Sequence, residues 1–570
     1  MGKETQQNIF KKNLPAIFLF AALAVFLFWR ARFGYCYQDE PFLVSLAQRL
    51  YQGDCLLTDE WSGAQNTGVL LLSVYSLAYR FLGGTEGILL AIRWVYCALW
   101  LCCLVFLSVK LRELGSLRFA AVIYTALFSP LDYMTLSYTS ISLMCVTAMA
   151  AISYKDVFNA SGFPVRTGLL LGVLMTAAVL CYPHFVPVFF LYTAALSGGA
   201  LYCKKYAPLK RSYYRKTLLS MLLSTAVFAA LYALCVLLHK DGKPLAENVI
   251  QIFNDPQHAA KGMADAVIQI CYFIGIQGVG WIYPVGMLLL TGIALLPLRC
   301  RKALRPVIFI AGVLLFVYSL IPVALSPKLQ LNEQMRNIVF LGLLAYALTE
   351  NRPKKLFYSF YPLSLVYMYS AFLGSNTQIM VISMGLSVAG IAAVVIILIL
   401  MRELFGSAPR LLSRLAAFAA AAAVLFEIGV ELNVRFRYTY YDETLSRLTE
   451  TLTRGPARGI RTCRENSEAY YETLDAFDTL MADRPRDGKS IMSVNELVSL
   501  YADMEFDTLS TWLRGYANTE QMWERQKMYY ELNGREYPDY LFFDEYVPYD
   551  IEIDGYDAFE SGSFTLLVKK

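Results

Sequence analysis

Residues 33–41 of the chain are Phe33-Gly34-Tyr35-Cys36-Tyr37-Gln38-Asp39-Glu40-Pro41. They directly follow an apolar segment at 14–29, which we predict to be the first membrane span. Two adjacent carboxylates are tolerated there only at the aqueous edge of the bilayer. The residues up to about 85 stay polar and aromatic, which predicts a first loop (33–85) longer than most connections between helices. Because long loops often carry function, we interpret 33–41 as the floor of a functional site.

Composition places the chain among polytopic membrane proteins. Of its 570 residues, 57% are hydrophobic and 17% are charged, and the mean hydropathy is +0.45. A span needs about 20 mostly apolar residues, and we count about thirteen such segments. They lie near 14–29, 86–108, 117–131, 138–154, 167–182, 185–203, 217–238, 277–297, 306–326, 336–350, 356–373, 377–401 and 412–431. The segment at 14–29 lacks a small-residue cleavage site, so we expect a retained anchor rather than a signal peptide.

Basic residues predict the orientation. They cluster in the short connections on one side, at 11–12, 110–118, 155–166, 204–216, 299–305, 352–355 and 402–414. The positive-inside rule makes that side cytoplasmic. The sequence therefore predicts a multi-pass protein of the cell membrane with a cytoplasmic N-terminus, and with the first loop and the C-terminal region outside the cytoplasm.

The composition changes near residue 432. Residues 432–570 hold 16 Lys and Arg against 26 Asp and Glu, a net charge of −10, whereas the whole chain carries +5. Helical spacing is evident at 465–481 and 496–504, and short apolar runs at 490–494, 540–543 and 564–568 are typical of strands. We predict two domains, a membrane domain over 1–431 and a small extracytoplasmic α/β domain over 432–570.

Several kinds of site are not indicated. The chain has no Gly-rich loop followed by Lys-Ser/Thr, no Gly-x-Ser-x-Gly and no spacing typical of a zinc site, and its three histidines are scattered. We predict no cofactor and no metal–histidine centre, with a divalent metal at the acidic positions left open, and no nucleic-acid partner. Cys36 and Cys55 share the first loop, where we expect two separate thiols, with a disulfide as the alternative.

The arrangement of a first span, an Asp39-Glu40 pair after it, a long first loop, about a dozen spans and a soluble C-terminal domain resembles the glycosyltransferase C superfamily. Relatives include protein O-mannosyltransferases and aminoarabinose transferases. The segments Tyr51-Gln52-Gly53-Asp54, Thr58-Asp59-Glu60-Trp61 and Gly83-Gly84-Thr85-Glu86-Gly87-Ile88 are similar to uncharacterised bacterial members. The resemblance extends over nearly the whole chain, although the motif that carries chemistry is short.

This resemblance implies a function. The donor would be a polyprenyl-phosphate-linked sugar, the acceptor a hydroxyl of an envelope glycan, lipid or protein, and the mechanism inverting. Asp39 matches the catalytic acid position, Glu40 its neighbour, and Asp132 the family's second acidic position. Other side chains expected to bind substrate are acids of the first loop and cations that would stabilise the lipid phosphate. They are Arg49, Asp59, Glu60, Arg80, Lys243, Lys328 and Arg336.

Alternatives remain for these residues and for the function. Asp39 and Glu40 before Pro41 are also what a helix N-terminus favours, and Asp59-Glu60 also fits a solvated loop face or metal ligands. The protein as a whole could be an envelope-polysaccharide polymerase or ligase, in which case the segment 239–261 would carry the site. It could also be a transporter or flippase, for which Arg93 and Glu427 are the clearest charges within the membrane.

Overall fold

The computed structural model describes residues 3–129, 134–203, 207–239, 242–256, 262–276, 280–296, 301–325, 331–375, 379–407, 410–516, 518–550 and 552–570. Side chains are described for these ranges except at 3–13, 239, 301–302, 322–325, 331–334 and 379.

The first three quarters of the chain is helical. In chain order the helices are α1 (Lys3–Arg30), α2 (Asp39–Gln52), α3 (Asn66–Leu82), α4 (Ile88–Lys110), α5 (Leu117–Leu127), α6 (Tyr138–Ile152), α7 (Pro164–Cys181), α8 (Val186–Tyr202), α9 (Pro208–His239), α10 (Leu245–Phe253), α11 (Met263–Ile276), α12 (Ile282–Leu295), α13 (Arg301–Leu325), α14 (Leu331–Leu348), α15 (Lys354–Leu373), α16 (Ile379–Phe405) and α17 (Arg410–Arg437). Within the described ranges, eight segments are long and apolar enough to cross a membrane. The predicted helical membrane architecture is confirmed at this level.

A helix lies at each of the thirteen segments predicted from the sequence. The apolar helix α11 is additional, because none of the thirteen predicted segments covers it. Five of the apolar helices have only 10–17 residues in the searched part of the chain, so the number of crossings stays a prediction.

The core of the bundle surrounds α16, which packs against α5, α14, α15 and α17. Residues 381–397 of this helix are all buried, as expected for a stretch with no polar face. Gly390 allows one close approach, because a Cβ atom there would lie 2.0 Å from the Tyr124 hydroxyl. Small residues of this kind let membrane helices pack backbone to side chain.

The C-terminal region forms a sheet covered by helices on both faces. The strands are β1 (Glu450–Thr451), β2 (Arg461–Thr462), β3 (Ser490–Ser493), β4 (Glu505–Phe506), β5 (Tyr540–Phe543), β6 (Tyr556–Ser561) and β7 (Phe564–Lys569), and the helices are α18 (Arg464–Met481), α19 (Glu496–Tyr501) and α20 (Thr519–Asn533). The five-stranded sheet has the order β4-β3-β5-β7-β6, with β3 parallel to β4 and β5 and the remaining pairs antiparallel. Phe542 faces the α18 side and Leu541 the α20 side, which follows from the alternation of side chains along a strand.

The predicted helices and strands of this region are found close to their expected places, whereas α20 and the strands β1, β2, β4 and β6 were not predicted. Helix α17 runs to Arg437, past the expected domain boundary at 431.

The first loop is mostly helical, since it contains α2 and α3, and it packs on the C-terminal sheet region. Trp61 is the main anchor. Its ring is 2% exposed, lies 5.4 Å from the Tyr529 ring and donates through Nε1 to Asn248 Oδ1 at 2.7 Å. Helix α10 packs against the same part of the C-terminal region, because Asn248 also hydrogen-bonds to Asn533 and Arg525 donates to the Gln251 carbonyl. These contacts fix the loop as part of one packed unit.

Candidate active site

The segment that leads from α1 to α2 is held by hydrogen bonds to the chain beyond α17. Gly34 N–H donates to the Arg461 carbonyl at 2.8 Å, and Tyr35 N–H donates to Asp442 Oδ2 at 2.8 Å. Gly34 has φ +87°, and a Cβ there would lie 2.7 Å from Thr439, so this position requires glycine. Arg30 adds donations to the carbonyls of Arg435 and Tyr438. The backbone that carries Asp39 is therefore fixed by both ends of the helical domain.

Asp39 lies in the first turn of α2, just after the N-cap Gln38, and is half-buried. The Tyr440 hydroxyl hydrogen-bonds to its carboxylate. Burial raises the pKa of Asp39 from 3.8 to about 6, against the smaller opposing effect of that hydrogen bond. In the described part of the chain no ion pair reaches Asp39. This carboxylate is thus positioned but not neutralised by a cation.

Aromatic side chains surround the start of α2. Tyr138 and Tyr440 pack with Trp512 on the apolar residues Phe42, Leu43 and Leu46 of this helix. The Phe42 and Trp512 ring centroids are 5.3 Å apart. Tyr138, Tyr440 and Trp512 were not predicted. The signal available was the run Tyr438-Thr439-Tyr440-Tyr441, a few residues after the last apolar segment. If the chain has thirteen spans, this run lies at the same membrane face as residue 33.

Glu40 is completely buried and has a different environment from its neighbour. Its two carboxylate oxygens accept from Arg93 Nε at 2.6 Å and Nη2 at 2.5 Å. Arg93 also donates to the carbonyls of Ala31 and Gly34. Such a bidentate pair, with its remaining donors on the backbone, fastens α2 and the preceding segment to α4. The geometry gives Glu40 and Arg93 a structural role.

Arg49, at the other end of α2, is also occupied within the protein. It is 1% exposed and donates to Asp54 Oδ2 at 2.5 Å, Glu60 Oε2 at 2.8 Å, the Thr508 carbonyl at 2.8 Å and the Asp59 carbonyl. A guanidinium with its donors so committed does not present a free surface to a lipid phosphate. The expectation that Arg49 binds substrate is not supported, and we assign it to the contact between the first loop and the C-terminal region.

Asp59 and Glu60 belong to the same network rather than to a solvated loop face, because they are 1% and 5% exposed. Asp59 Oδ1 accepts from Lys243 at 2.6 Å and from Arg535 at 2.8 Å. Burial by itself would raise the pKa of Asp59, but these two cations outweigh it and hold the pKa below its ordinary value. Lys243 is therefore paired with Asp59, not presented to a ligand.

The remaining predicted site residues lie elsewhere. Arg80, in the last turn of α3, is exposed. Arg336 is buried in the helical bundle, where it donates to the Ile274 carbonyl at 2.7 Å and stacks 5.5 Å from the Tyr283 ring. Asp132 and Lys328 lie outside the described residues. The structure therefore brings the predicted residues together in two groups, Asp39 with Glu40 and Arg49 with Asp59, Glu60 and Lys243.

The described residues offer few further candidates for metal binding or for a reactive thiol. Among the described residues, no group of three or more His, Cys, Asp or Glu side chains is placed to hold a metal ion. Cys36 and Cys55 are both buried, and neither is in a disulfide. Burial raises the pKa of the Cys36 thiol, so this group is a poor nucleophile.

Comparison of the chain with protein-family models and with curated proteins finds no match.

Proposed function

We propose that the protein is an inverting glycosyltransferase that moves a sugar from a polyprenyl-phosphate donor to a hydroxyl of a cell-envelope acceptor. The observation that carries this proposal is the carboxylate of Asp39. It lies where the chain leaves its first apolar helix, in an aromatic setting that suits a sugar, and no described cation neutralises it. A base with a pKa near the working pH is what general base catalysis needs.

The reaction follows from that position. Asp39 takes the proton of the acceptor hydroxyl as its oxygen attacks C1 of the donor sugar. The bond between C1 and the phosphate oxygen breaks, and its electron pair leaves with the lipid phosphate. A single displacement of this kind inverts the anomeric centre. Glu40 supports the step indirectly, because its pair with Arg93 holds the first turn of α2 in place.

The proposal places the site on the extracytoplasmic face. The basic clusters that alternate along the chain support a cytoplasmic N-terminus. Asp39 and the C-terminal region then lie outside, in contact with the outer leaflet, where no nucleotide is required. Reporter fusions after residues 203 and 570 test this orientation, since they should be active on opposite sides of the membrane.

The decisive experiment compares wild type with Asp39→Asn, which keeps the size of the side chain but cannot accept the proton. Purified protein is incubated with a panel of undecaprenyl-phosphate hexoses and envelope glycans, and released undecaprenyl phosphate is measured. We expect Asp39→Asn to lower kcat by about 10²-fold or more. In wild type, kcat/KM should rise with pH through about 6, because Asp39 must lose its proton to act.

The matched control is Asp557→Asn, the same change at a carboxylate on the surface of the C-terminal region that pairs with Lys570. It should transfer sugar at the wild-type rate. Undiminished transfer by Asp39→Asn would mean that this carboxylate only stabilises the start of α2. Absence of transfer from every donor in the panel by wild-type protein would overturn the proposal.

One observation favours a second function, transport. Glu427 on α17 is fully buried in the bundle, and neither carboxylate oxygen has a hydrogen-bond partner among the described residues. Ionisable groups inside a membrane domain often line an ion or substrate path. Translocation of a fluorescent polyprenyl-phosphate lipid in proteoliposomes, abolished by Glu427→Gln and unaffected by Asp39→Asn, would favour a flippase over a transferase.

A further inference from the structure

A cleft beside Asp39 lies between the segment that precedes α2 and the C-terminal sheet region. It has a volume of about 80 Å3 and is bordered by Tyr35 and Tyr37 on one side and by Asn495, Arg514, Asp544 and Tyr546 on the other. Tyr37 is two residues before Asp39, and its ring lies 5.3 Å from that of Tyr441, which follows the Asp39 partner Tyr440. The cleft therefore adjoins the candidate active site.

The floor of the cleft has polar groups that the protein fixes in place. Arg514 has a side chain only 7% exposed and donates through Nε to Glu496 at 2.7 Å and through Nη2 to Asp544 at 2.5 Å. Its Nη1 has no partner among the described residues. Glu496 and Asp544 therefore hold the guanidinium in one position at the edge of the cleft. Asn495 holds Asp544 from the other side through a hydrogen bond of 2.8 Å.

The wall of the cleft is aromatic and partly open. The rings of Tyr37 and Tyr546 are nearly parallel, with an interplanar angle of 21° and centroids 6.4 Å apart. Tyr546 is 61% exposed, and the Arg514 guanidinium lies 4.6 Å from its ring centroid. An exposed aromatic face next to a few fixed polar groups suits a ligand that has both an apolar face and hydroxyl groups, as a pyranose ring does.

Charge limits the ligand further. Glu472, Asp544 and Glu545 border the cleft, whereas Arg514 is the one cation that borders it within the described part of the chain. An excess of carboxylates repels anions. We propose that this cleft binds a neutral pyranose unit of the acceptor glycan and presents the acceptor to Asp39. Its role as an acceptor site rests on the proposed function, but the binding of the glycan does not.

Binding is therefore tested without donor, using the full chain in nanodiscs and three trisaccharide probes. Maltotriose and N,N′,N″-triacetylchitotriose are neutral, and trigalacturonate is anionic. Saturation-transfer NMR and calorimetry should detect a neutral probe but not trigalacturonate. Tyr546→Ala should weaken binding by about 5-fold or more, because it removes the exposed ring. Phe559→Ala, which removes an exposed aromatic ring of the same region outside the cleft, is the matched control and should bind as wild type.

Arg514→Lys tests the polar floor, and circular dichroism checks that it folds. It keeps the charge but loses the planar set of donors, and should also weaken the neutral probe. No binding of either neutral probe, equal binding by Tyr546→Ala, or preference for trigalacturonate would overturn the inference. Binding of a neutral probe by wild-type protein that transfers sugar from no donor in the panel would leave the cleft intact and remove the proposed function. If the protein transfers sugar and Tyr546→Ala leaves KM for the acceptor unchanged, the inference about the cleft is overturned and the proposed function stands.

Discussion

The two ends of α2 use their charges in different ways. At the C-terminal end, Arg49 is enclosed by acceptors from the first loop and the C-terminal region. At the N-terminal end, Asp39 is half-buried, has a tyrosine hydroxyl as its partner and has a raised pKa. The first turn of α2 contains both a paired and an unpaired carboxylate, because Glu40, next to Asp39, is fully paired with Arg93.

The difference separates charges that hold the structure from a charge available for chemistry. A buried ion whose hydrogen bonds are satisfied is costly to disturb and has no capacity left for a ligand. A carboxylate whose pKa is raised by burial, with no cation to compensate, reduces stability. It is a functional candidate for that reason. If this distinction is correct, substitutions at the two kinds of position should change stability in opposite directions.

The largest effect is expected from Arg49→Ala. It leaves the Asp54 and Glu60 carboxylates buried without their cation, so the free energy of unfolding should fall by about 3–5 kcal/mol. The change is measured by chemical unfolding in detergent, with tryptophan fluorescence as the signal. Arg464→Ala removes an arginine from an exposed pair with Glu468 and should leave the unfolding midpoint unchanged. An Arg49→Ala protein as stable as wild type would contradict the structural assignment.

A smaller loss is expected from Glu40→Gln, which keeps one acceptor for Arg93 but removes the compensating charge. The free energy of unfolding should fall by about 2–4 kcal/mol. Adding Arg93→Gln should recover part of that loss, because the buried cation is then absent as well. A double variant with the full sum of the two single losses would show that Glu40 and Arg93 act independently, against the bidentate pair in the structure.

The sequence was sufficient to predict the helical bundle and much of the sheet region. Apolar length predicts a membrane helix almost by itself, and β3, β5 and β7 are short apolar runs between turn residues. Helix α20 was missed because its sequence, Thr519-Glu520-Gln521-Met522-Trp523 onward, is polar with few apolar residues in helical register. Helix α11 was missed because it has only 14 residues, fewer than a span needs, and none of the thirteen predicted segments covers it.

The candidate site was less predictable because it depends on contacts distant in sequence. Asp39 was found by its position after an apolar segment. The sequence could not distinguish it from Glu40, since the distinction comes from Arg93, 53 residues away. The pairing of Arg49 with Thr508 and of Asp59 with Arg535 likewise depends on how the C-terminal region packs, and no local pattern encodes that.

Asp39→Asn should have a modest effect of the opposite sign. The pKa of Asp39 is about 6 in the folded protein and 3.8 ordinarily, so the folded state holds a proton that the unfolded chain releases between these pH values. Stability from this group is present below the ordinary pKa and is lost as the pH rises through 6. Allowing for its partial exposure, Asp39→Asn should be more stable than wild type by about 1 kcal/mol at pH 8. At about pH 3, where the carboxyl is protonated in both states, the two proteins should unfold alike. A less stable Asp39→Asn at pH 8 would place Asp39 with the structural charges.

The smallest effect on stability is expected at Arg80, which tests the role of an exposed charge. Its guanidinium is exposed at the end of α3, between Leu77 and Phe81, which are 72% and 88% exposed, and the described residues offer it no hydrogen bond or ion pair. Arg80→Gln should therefore leave the unfolding midpoint unchanged. Because an exposed cation between apolar side chains is placed to meet phosphate at a membrane surface, KM for the polyprenyl-phosphate donor should rise by about 2- to 5-fold with kcat unaltered. Raising the salt to 0.5 M should remove the difference, since exposed charges are screened, and Arg80→Lys should behave as wild type. A lower kcat in Arg80→Gln would mean that this arginine acts on the departing phosphate in the transition state. Burial would then not be what distinguishes charges that take part in the chemistry from those that do not.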